Sequence, residues 1–598
     1  MAELVWDGKY DKEGKKVAPL RVALPFQTVE TVNESAQERQ MGLDAWARGR
    51  TTEWRNRLIW GDKKYVLPSL LPEFAGKVDL IYIDPPFDTG ADFSFQVQVD
   101  GEGFTKEPSI IEQKAYRDTW GGGLDSYLHW FYETAVILRE MLAETGSIYV
   151  HLDWHVGHYA KTVLDEVFGT SSFTNEIIWY YYNKFQGNIN RFASNHDVIL
   201  YYRKSGDFTF YRQKQQREAP TRQLKRAWDK EVGRIVNAKD AEGHVMYQDV
   251  VDQTVDDVWR IPMLQPADQT ENVRYPTQKR EAILERIVNA SSNEDDLVLD
   301  CFVGSGTTAA VAERLGRRWI ACDLGRFAIH TTRKRLLAIG AKPFIVQNLG
   351  KYERQLWQAA EFGDEATAKV QAYRSFILEL YHATPISGYA WLHGVKAGRM
   401  VHVGAVDSPV SPGDITQIAA EFRRAVGTGK DAPTTNGVDV LGWDFAFELN
   451  EVAKQHAEQA NINLRFLRIP REVLEKKAVE QGDIRFFELA ALSVDVATKG
   501  RAVTLTLTDF VIPPDDVPED VRQAIKHWAQ WVDYWAVDWD NKGDTFHNQW
   551  QAYRTRKSPD LQKSIAHTYD APGEYAVVVK VIDILGNDTT KTLKVTVR

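Results

Sequence analysis

Asp84-Pro85-Pro86-Phe87 closes an apolar run, and each of its four residues has a chemical use. An exocyclic amine on a purine or pyrimidine is a poor nucleophile because its lone pair is delocalised into the ring. A carboxylate and a backbone carbonyl that accept its two N–H bonds would localise that pair and stabilise the positive charge that grows as the nitrogen attacks. Asp84 supplies the carboxylate. Two successive prolines donate no N–H and fix the backbone, so the Pro85 carbonyl can be held rigidly toward the amine. Phe87 offers a stacking face for a base swung out of its helix. A second constellation, Asp300-Cys301-Phe302-Val303-Gly304-Ser305-Gly306-Thr307-Thr308, stands between an apolar run and a helical stretch, and Asp323 ends the next apolar run. Glycines there let a backbone approach a ligand, and the later acid can accept from both hydroxyls of a ribose, which is the logic of a nucleotide site. Taken alone, Gly304-x-Gly306-x-x-Ala309 fits a dinucleotide fold equally well.

The elements that must position these residues alternate between strand and helix. Residues 78–83 read as a buried parallel strand ending at Asp84, and the carboxyl ends of such strands are where open α/β sheets bind ligands. A neighbouring strand is expected over 57–60 and a helix over 63–74, followed by a helix over 124–143, a strand over 147–152 and a helix over 157–168. Between 173 and 271 the pattern turns irregular, aromatic and basic, with Trp179-Tyr180-Tyr181-Tyr182 near its start. The rhythm resumes with a helix over 277–290, a strand over 297–299, a helix over 307–315, a strand over 319–322 and a helix over 326–338. The expectation is one sheet built from two separated segments, 1–172 and 272–349, with 173–271 inserted at its rim for target recognition. A strand over 400–403, a helix over 415–425, a strand over 438–441 and a helix from 448 predict a smaller α/β unit within 350–498. Strict alternation over 503–508 and a hairpin over 575–597 predict a β-sandwich-like module within 499–598.

Hydrophobic residues make up 43% of the 598 and charged residues 26%, the profile of a soluble chain of several domains. The polar start and the absence of an apolar run approaching roughly 18 residues predict a cytoplasmic protein without a membrane partner. A net charge of -10 argues against a polyanionic partner. The stretch 203–239 reverses that locally, with eleven Lys and Arg against four acids. Lying between the two chemical constellations, it suits contacts to phosphates. The only cysteines, Cys301 and Cys322, exclude a disulfide framework and a Cys-rich zinc site. Neither follows a proline, which disfavours a cysteine nucleophile of the kind used to methylate cytosine at carbon 5.

Asp84-Pro85-Pro86-Phe87, Tyr275-Pro276-Thr277-Gln278-Lys279 and Asp300-Cys301-Phe302-Val303-Gly304-Ser305-Gly306-Thr307-Thr308, in that order, resemble the β-class of S-adenosylmethionine-dependent DNA amino-methyltransferases, the adenine-N6 and cytosine-N4 enzymes that include the modification subunits of type III restriction systems. The resemblance covers roughly residues 50 to 345. It implies a Rossmann-like class I methyltransferase sheet with circularly permuted motif order. It further implies that Asp84, Pro85, Pro86 and Phe87 hold the target amine and stack the base. Asp300, Phe302, Gly304, Gly306 and Thr307 would line the methionine portion of the cofactor, Asp323 would bind the ribose, and Thr277 and Lys279 would lie against the cofactor's carboxylate end. Asp62 would meet the adenine end. Tyr275 stands where the family often has His, and Cys301 where it often has a small residue or proline; neither removes a needed charge. His151, His155 and His158 beside Asp153 match a non-metal segment near the base pocket, so no metal is expected.

Adenine is the favoured target because Asp heads the tetrapeptide, where cytosine-amine enzymes of the family more often carry Ser. The alternatives are cytosine-N4 methylation, methyl transfer to RNA or protein, a catalytically silent DNA-binding or assembly subunit, and a nicotinamide dehydrogenase. The last leaves the Asp-Pro-Pro-Phe turn and the basic stretch without a role. Double-stranded DNA is the expected partner, within a restriction-modification or phage-defence system. Residues beyond 350 carry neither a phosphate-cradling Gly-Lys-Ser/Thr loop nor a nuclease cluster, and are expected to dock a helicase or nuclease subunit or a second copy of the chain.

Overall fold

The run Val78-Asp79-Leu80-Ile81-Tyr82-Ile83 is buried almost throughout, as a central parallel strand must be. Its one acid, Asp79, accepts the Leu297 N–H of the neighbouring strand at 2.8 Å. Around it the computed structural model describes the chain apart from residues 1–2, 35–53, 87–94, 100–101, 107–122, 185–189, 191, 231–232, 364, 427–432, 448, 450–460, 483, 514–516, 518, 544 and 556–557. The main sheet has eleven strands. In chain order they are β1 (Gln27–Val32), β2 (Asn56–Trp60), β3 (Val78–Ile83), β4 (Leu142–Leu152), β5 (Phe173–Tyr180), β6 (His196–Arg203), β7 (Val258–Arg260), β8 (Leu297–Asp300), β9 (Arg318–Asp323), β10 (Phe344–Asn348) and β11 (Phe546–Asn548).

Across the sheet the order is β7-β5-β6-β4-β3-β8-β9-β2-β10-β1-β11. From β4 through β3, β8, β9 and β2 to β10 every pairing is parallel, and β6 runs antiparallel beside β4. The chain leaves β8 for β9 on one side, while β3 leads to β4 on the other. The crevice between β3 and β8 is therefore the topological switch point, where an open α/β sheet opens at its carboxyl end. Helices α1 (Lys63–Phe74), α2 (Leu124–Met141) and α3 (Gly157–Phe168) share a core on one face with Ile81, Ile148 and Leu299. Helices α4 (Glu281–Ser291), α5 (Thr307–Arg314) and α6 (Arg326–Ala338) cover the other, with Leu80, Tyr149 and Val298. This is the permuted Rossmann-like sheet that the resemblance implies.

Several boundaries differ from expectation. The helix expected from 277 begins at Glu281, because Pro276 and the left-handed Thr277 (φ 63°) form a turn first. Residues 173–271 are not wholly an insertion. β5, β6 and β7 belong to the main sheet, but their aromatic residues, and in β6 the consecutive burial of Ile199, Leu200, Tyr201 and Tyr202, obscured the strand pattern. What departs from the sheet is narrower: Lys214–Leu224 pairs antiparallel with Tyr247–Thr254, and Arg226–Asp229 with Arg234–Asn237, in two separate two-stranded ribbons. Lys225, Arg226, Trp228, Lys230, Arg234 and Lys239 are exposed on this arm.

Beyond the main sheet, a six-stranded sheet with three parallel central strands (Arg399–Val403, Gly437–Gly442 and Asn463–Arg468) is joined by the helix Pro412–Ala425. Ser411 and Asp414 cap that helix reciprocally. The helix expected from 448 lies outside the described residues. The chain then forms a three-stranded and a four-stranded antiparallel sheet. This last module is not separate from the main sheet, because β11 comes from it and pairs with β1, and Tyr534, Val578 and Ile582 share a core with Val32, Trp319 and Phe344. Fully buried Glu30 of β1 meets Arg333 of α6 at 3.0 Å and Lys580 of the module at 2.7 Å. Asp533 likewise binds His330 at 2.8 Å and Lys334 at 2.8 Å. No described helix is long and apolar enough to cross a membrane.

Candidate active site

The carboxyl ends of four adjacent strands bring acids together. β3 delivers Asp84, β8 delivers Asp300, β9 delivers Asp323, and β2 leads through Gly61 to Asp62. Strand register explains the alignment: Leu299 pairs with Ile81 and Asp323 with Trp60. The Gly61 N–H binds the Asp323 carbonyl at 3.0 Å, which sets Asp62 next to it. Asp62 then caps α1, its carboxylate accepting the Lys64 N–H at 2.9 Å.

Asp84 and its prolines hold the edge of the crevice. Pro85 is buried and Asp84 half-buried. Lys279 Nζ donates to Asp84 Oδ2. The other oxygen, Oδ1, is buried and has no hydrogen-bond partner among the described residues. Phe87 lies outside the described residues. The Lys279 contact spans 195 positions in sequence and was not anticipated. The resemblance placed Lys279 by the cofactor, and no spacing in the chain marks it as the partner of the catalytic turn.

The glycine loop follows β8. Gly304 and Gly306 both have positive φ, 49° and 79°. A Cβ on Gly304 would stand 3.2 Å from the Tyr275 ring, and one on Gly306 2.8 Å from Thr332 Oγ1 of α6. Gly306 therefore serves close helix packing, which holds the loop shallow over the strand. The Gly304 N–H donates to Asp323 Oδ2 at 2.9 Å and the Gly325 N–H to Oδ1 at 2.8 Å, locking that carboxylate beneath the loop. Thr307 donates to the Lys279 carbonyl at 3.2 Å and receives Arg335 Nη1 at 2.9 Å. Phe302 is half-buried against Trp130, with ring centroids 5.5 Å apart, and the Lys63 ammonium lies 4.2 Å from the Trp130 ring centre. Thr277 is exposed at its left-handed turn.

Burial pushes the Asp300 carboxyl up to about 7, against hydrogen bonds from Thr308 Oγ1 (2.6 Å) and the Phe302 N–H (2.9 Å) that favour the anion. Asp84 and Asp323 nearby add to the rise. Burial raises both thiols, Cys301 and Cys322, well above the ordinary range, so neither is a nucleophile.

A polar chain runs under the turn. Tyr82 OH meets His151 Nδ1 at 2.9 Å, His151 Nε2 meets Asp197 Oδ2 at 3.2 Å, and Tyr181 OH donates to Asp197 Oδ1 at 3.1 Å. The three histidines noted in the sequence diverge: His151 is buried in this chain, His155 binds Asp153, and His158 is exposed. Trp179 and Tyr181 are buried, whereas Tyr180 and Tyr182 are exposed, the alternation of a strand edge.

The arrangement fits a nucleoside carrying an amino-acid tail. Acids stand at four adjacent strand ends, the loop beside them is packed close against α6 at Gly306, and Asp84 Oδ1 is buried without a hydrogen-bond partner among the described residues. The DNA methylase family profile that covers N6 and N4 enzymes matches residues 78–334. The type II methyltransferase M.EcaI of Enterobacter cloacae is 30% identical over 336 residues, 48% of this chain and 70% of that protein. The Mod subunit of the type III restriction-modification enzyme EcoP15I of Escherichia coli is 29% identical over 202 residues, 32% of this chain and only 29% of that subunit. The DNA adenine methyltransferase YhdJ of Escherichia coli is 29% identical over 283 residues, 47% of this chain and 82% of that protein. Matched along most of M.EcaI and across the whole span from the acidic turn to α6, the chain belongs to the N6/N4 family of S-adenosylmethionine-dependent DNA methylases.

Proposed function

We propose that this chain methylates the N6 amine of adenine in duplex DNA, with the base swung out of the helix into the crevice between β3 and β8. The observation that carries this reading is Asp84 Oδ1, a buried acceptor without a partner among the described residues, on a turn whose prolines hold the adjacent carbonyl rigid. Asp84 Oδ1 and the Pro85 carbonyl take the two amine hydrogens, which localises the nitrogen lone pair and stabilises the charge that builds on it. S-adenosylmethionine, when bound, supplies an electrophilic methyl group on a sulfonium. Asp300, Phe302, Gly304, Gly306 and Thr307 would hold its methionine portion, with Lys279 and Thr277 beside them. Asp323 would hold the ribose and Asp62 the adenine ring. Phe87 would stack the target base.

Adenine is favoured by the Asp that heads the tetrapeptide, and the relative YhdJ carries an adenine assignment in its name. The exposed cations Lys225, Arg226, Lys230, Arg234 and Lys239 on the ribbon arm would contact DNA phosphates. The likeness to a type III modification subunit supports a place in restriction-modification or phage defence, with the six-stranded sheet region offering a surface to a nuclease or helicase subunit.

The test is transfer of isotope-labelled methyl from S-adenosylmethionine to bacterial genomic DNA by the full chain, followed by digestion and mass spectrometry of nucleosides. Labelled N6-methyl-2′-deoxyadenosine is the expected product. Labelled N4-methyl-2′-deoxycytidine would replace the adenine assignment with the cytosine-amine one, and label confined to RNA or protein would overturn the reading.

A further inference from the structure

Lys279 connects the glycine loop to the acidic turn. Its backbone carbonyl is bound by Thr307 at the first turn of α5, and Thr307 is fixed in turn by Arg335, which is anchored on Glu281 at 2.5 Å. The Lys279 backbone is therefore part of the loop. Its ammonium, on a flexible four-carbon stem, reaches across the crevice to Asp84 Oδ2. The side chain is only 10% exposed, and Asp84 is 17% exposed, so the pair is weakly screened.

This contact matters for any ligand laid across the strand ends. With a ribose at Asp323 on β9 and a reacting centre at Asp84 on β3, the remaining portion of an S-adenosyl ligand falls beside the loop from Gly304 to Thr307, where the Lys279 backbone is attached. That portion is an amino acid and carries a carboxylate. Two carboxylates, one from Asp84 and one from the ligand, then compete for a single ammonium.

We infer that Lys279 is a positioning residue that exchanges between these two carboxylates, so that filling the loop frees Asp84 to receive the target amine. The inference rests on the cofactor site proposed above. In the free protein Lys279 restrains Asp84 and shields its Oδ2. When a ligand carboxylate takes the ammonium, both oxygens of Asp84 become acceptors. Cofactor occupancy and capture of the base are thereby coupled, and by reciprocity each strengthens the other. The order in which the site fills is built into one side chain.

The experiment uses two neutral-sulfur probes on the full chain, so that no sulfonium charge complicates the effect of Asp84. S-adenosylhomocysteine carries the amino-acid carboxylate; 5′-methylthioadenosine lacks it. Dissociation constants are measured calorimetrically for the wild type, Asp84→Asn, Lys279→Met and the double variant. Removing Asp84 releases Lys279, so Asp84→Asn binds S-adenosylhomocysteine roughly tenfold more tightly than the wild type. Lys279→Met binds it more weakly, and in that background Asp84→Asn brings no gain. Lys279→Arg, which keeps the charge, retains part of the affinity that Lys279→Met loses. Binding of 5′-methylthioadenosine is unchanged throughout, which also shows that each variant keeps a folded pocket. An unchanged or weakened affinity of Asp84→Asn for S-adenosylhomocysteine, or an equal change for 5′-methylthioadenosine, overturns the exchange while leaving the cofactor site standing. Failure of the wild type to bind either probe overturns both.

Discussion

In the proposed site, Asp300 is a carboxylic acid that would lose its proton as the cofactor binds. Burial holds its pKa at about 7 rather than the ordinary 3.8. In the proposed site it receives the ammonium of the cofactor's amino-acid end, and only the ionised form does so. Its ionised fraction is roughly 3% at pH 5.5 and roughly half at pH 7, so the affinity for S-adenosylmethionine rises about fifteenfold across that interval. The ligand's own α-amino group titrates near ~8, above the interval, and contributes little. Calorimetric titrations at pH 5.5 and 7.0, each in two buffers of different ionisation enthalpy, read the affinity and the proton count together. Roughly half a proton is released per cofactor bound at pH 7. Asp300→Asn abolishes the pH dependence and the proton release. A dissociation constant that is flat between these pH values, with no buffer dependence, would refute the role given to Asp300. The same shift sets the sign for the free protein. A carboxyl whose folded pKa lies above its unfolded value binds its proton more tightly when folded. Its stabilising contribution is full below pH 3.8 and is lost as pH rises through about 7, on the order of 4 kcal/mol in all.

Three other outcomes follow from particular contacts. Gly306→Ala forces a Cβ to within 2.8 Å of Thr332 Oγ1 at a left-handed backbone position, so it lowers stability by about 1–3 kcal/mol in chemical denaturation and weakens cofactor binding. Lys580→Met leaves fully buried Glu30 with Arg333 as its remaining cation and costs about 3 kcal/mol, and a chain truncated after residue 349 is insoluble because β1 loses its edge partner β11 as well as Lys580; a soluble, cofactor-binding truncation would contradict this. Replacing the exposed Lys225, Arg226 and Arg234 by Gln weakens binding to unrelated duplexes alike and lowers the slope of log affinity against log salt by about 2–3; an unchanged slope would remove the arm from the DNA contact.

Much of the catalytic sheet was legible because its strands are continuous apolar runs that stop at acids. β3 ends at Ile83 and α1, α3 and α6 span the residues their periodicity predicts. β1 was missed because Glu30, which the two cations hold ionised despite burial, breaks its apolar pattern. β5 and β6 read as an aromatic recognition segment because Trp179 and Tyr180 crowd the end of β5, while β6 is buried on both faces over Ile199, Leu200, Tyr201 and Tyr202 and shows no alternation. The three-residue β11 has too little sequence to signal a strand, and its partner lies more than five hundred positions away. The acids named from the sequence are ones that adjacent strand ends bring together, but their couplings were not legible. Neither the Lys279–Asp84 pair nor the Tyr82–His151–Asp197 chain leaves a local pattern, since each is made by strand ends that only the topology brings together.

The central claim is that Asp84 Oδ1 receives the target amine. Single-turnover transfer of labelled methyl to DNA, with enzyme saturated in S-adenosylmethionine, measures this step apart from cofactor binding. Asp84→Asn is expected to slow it by about a hundredfold or more while still binding cofactor. Transfer by that variant at the wild-type rate would contradict the assignment.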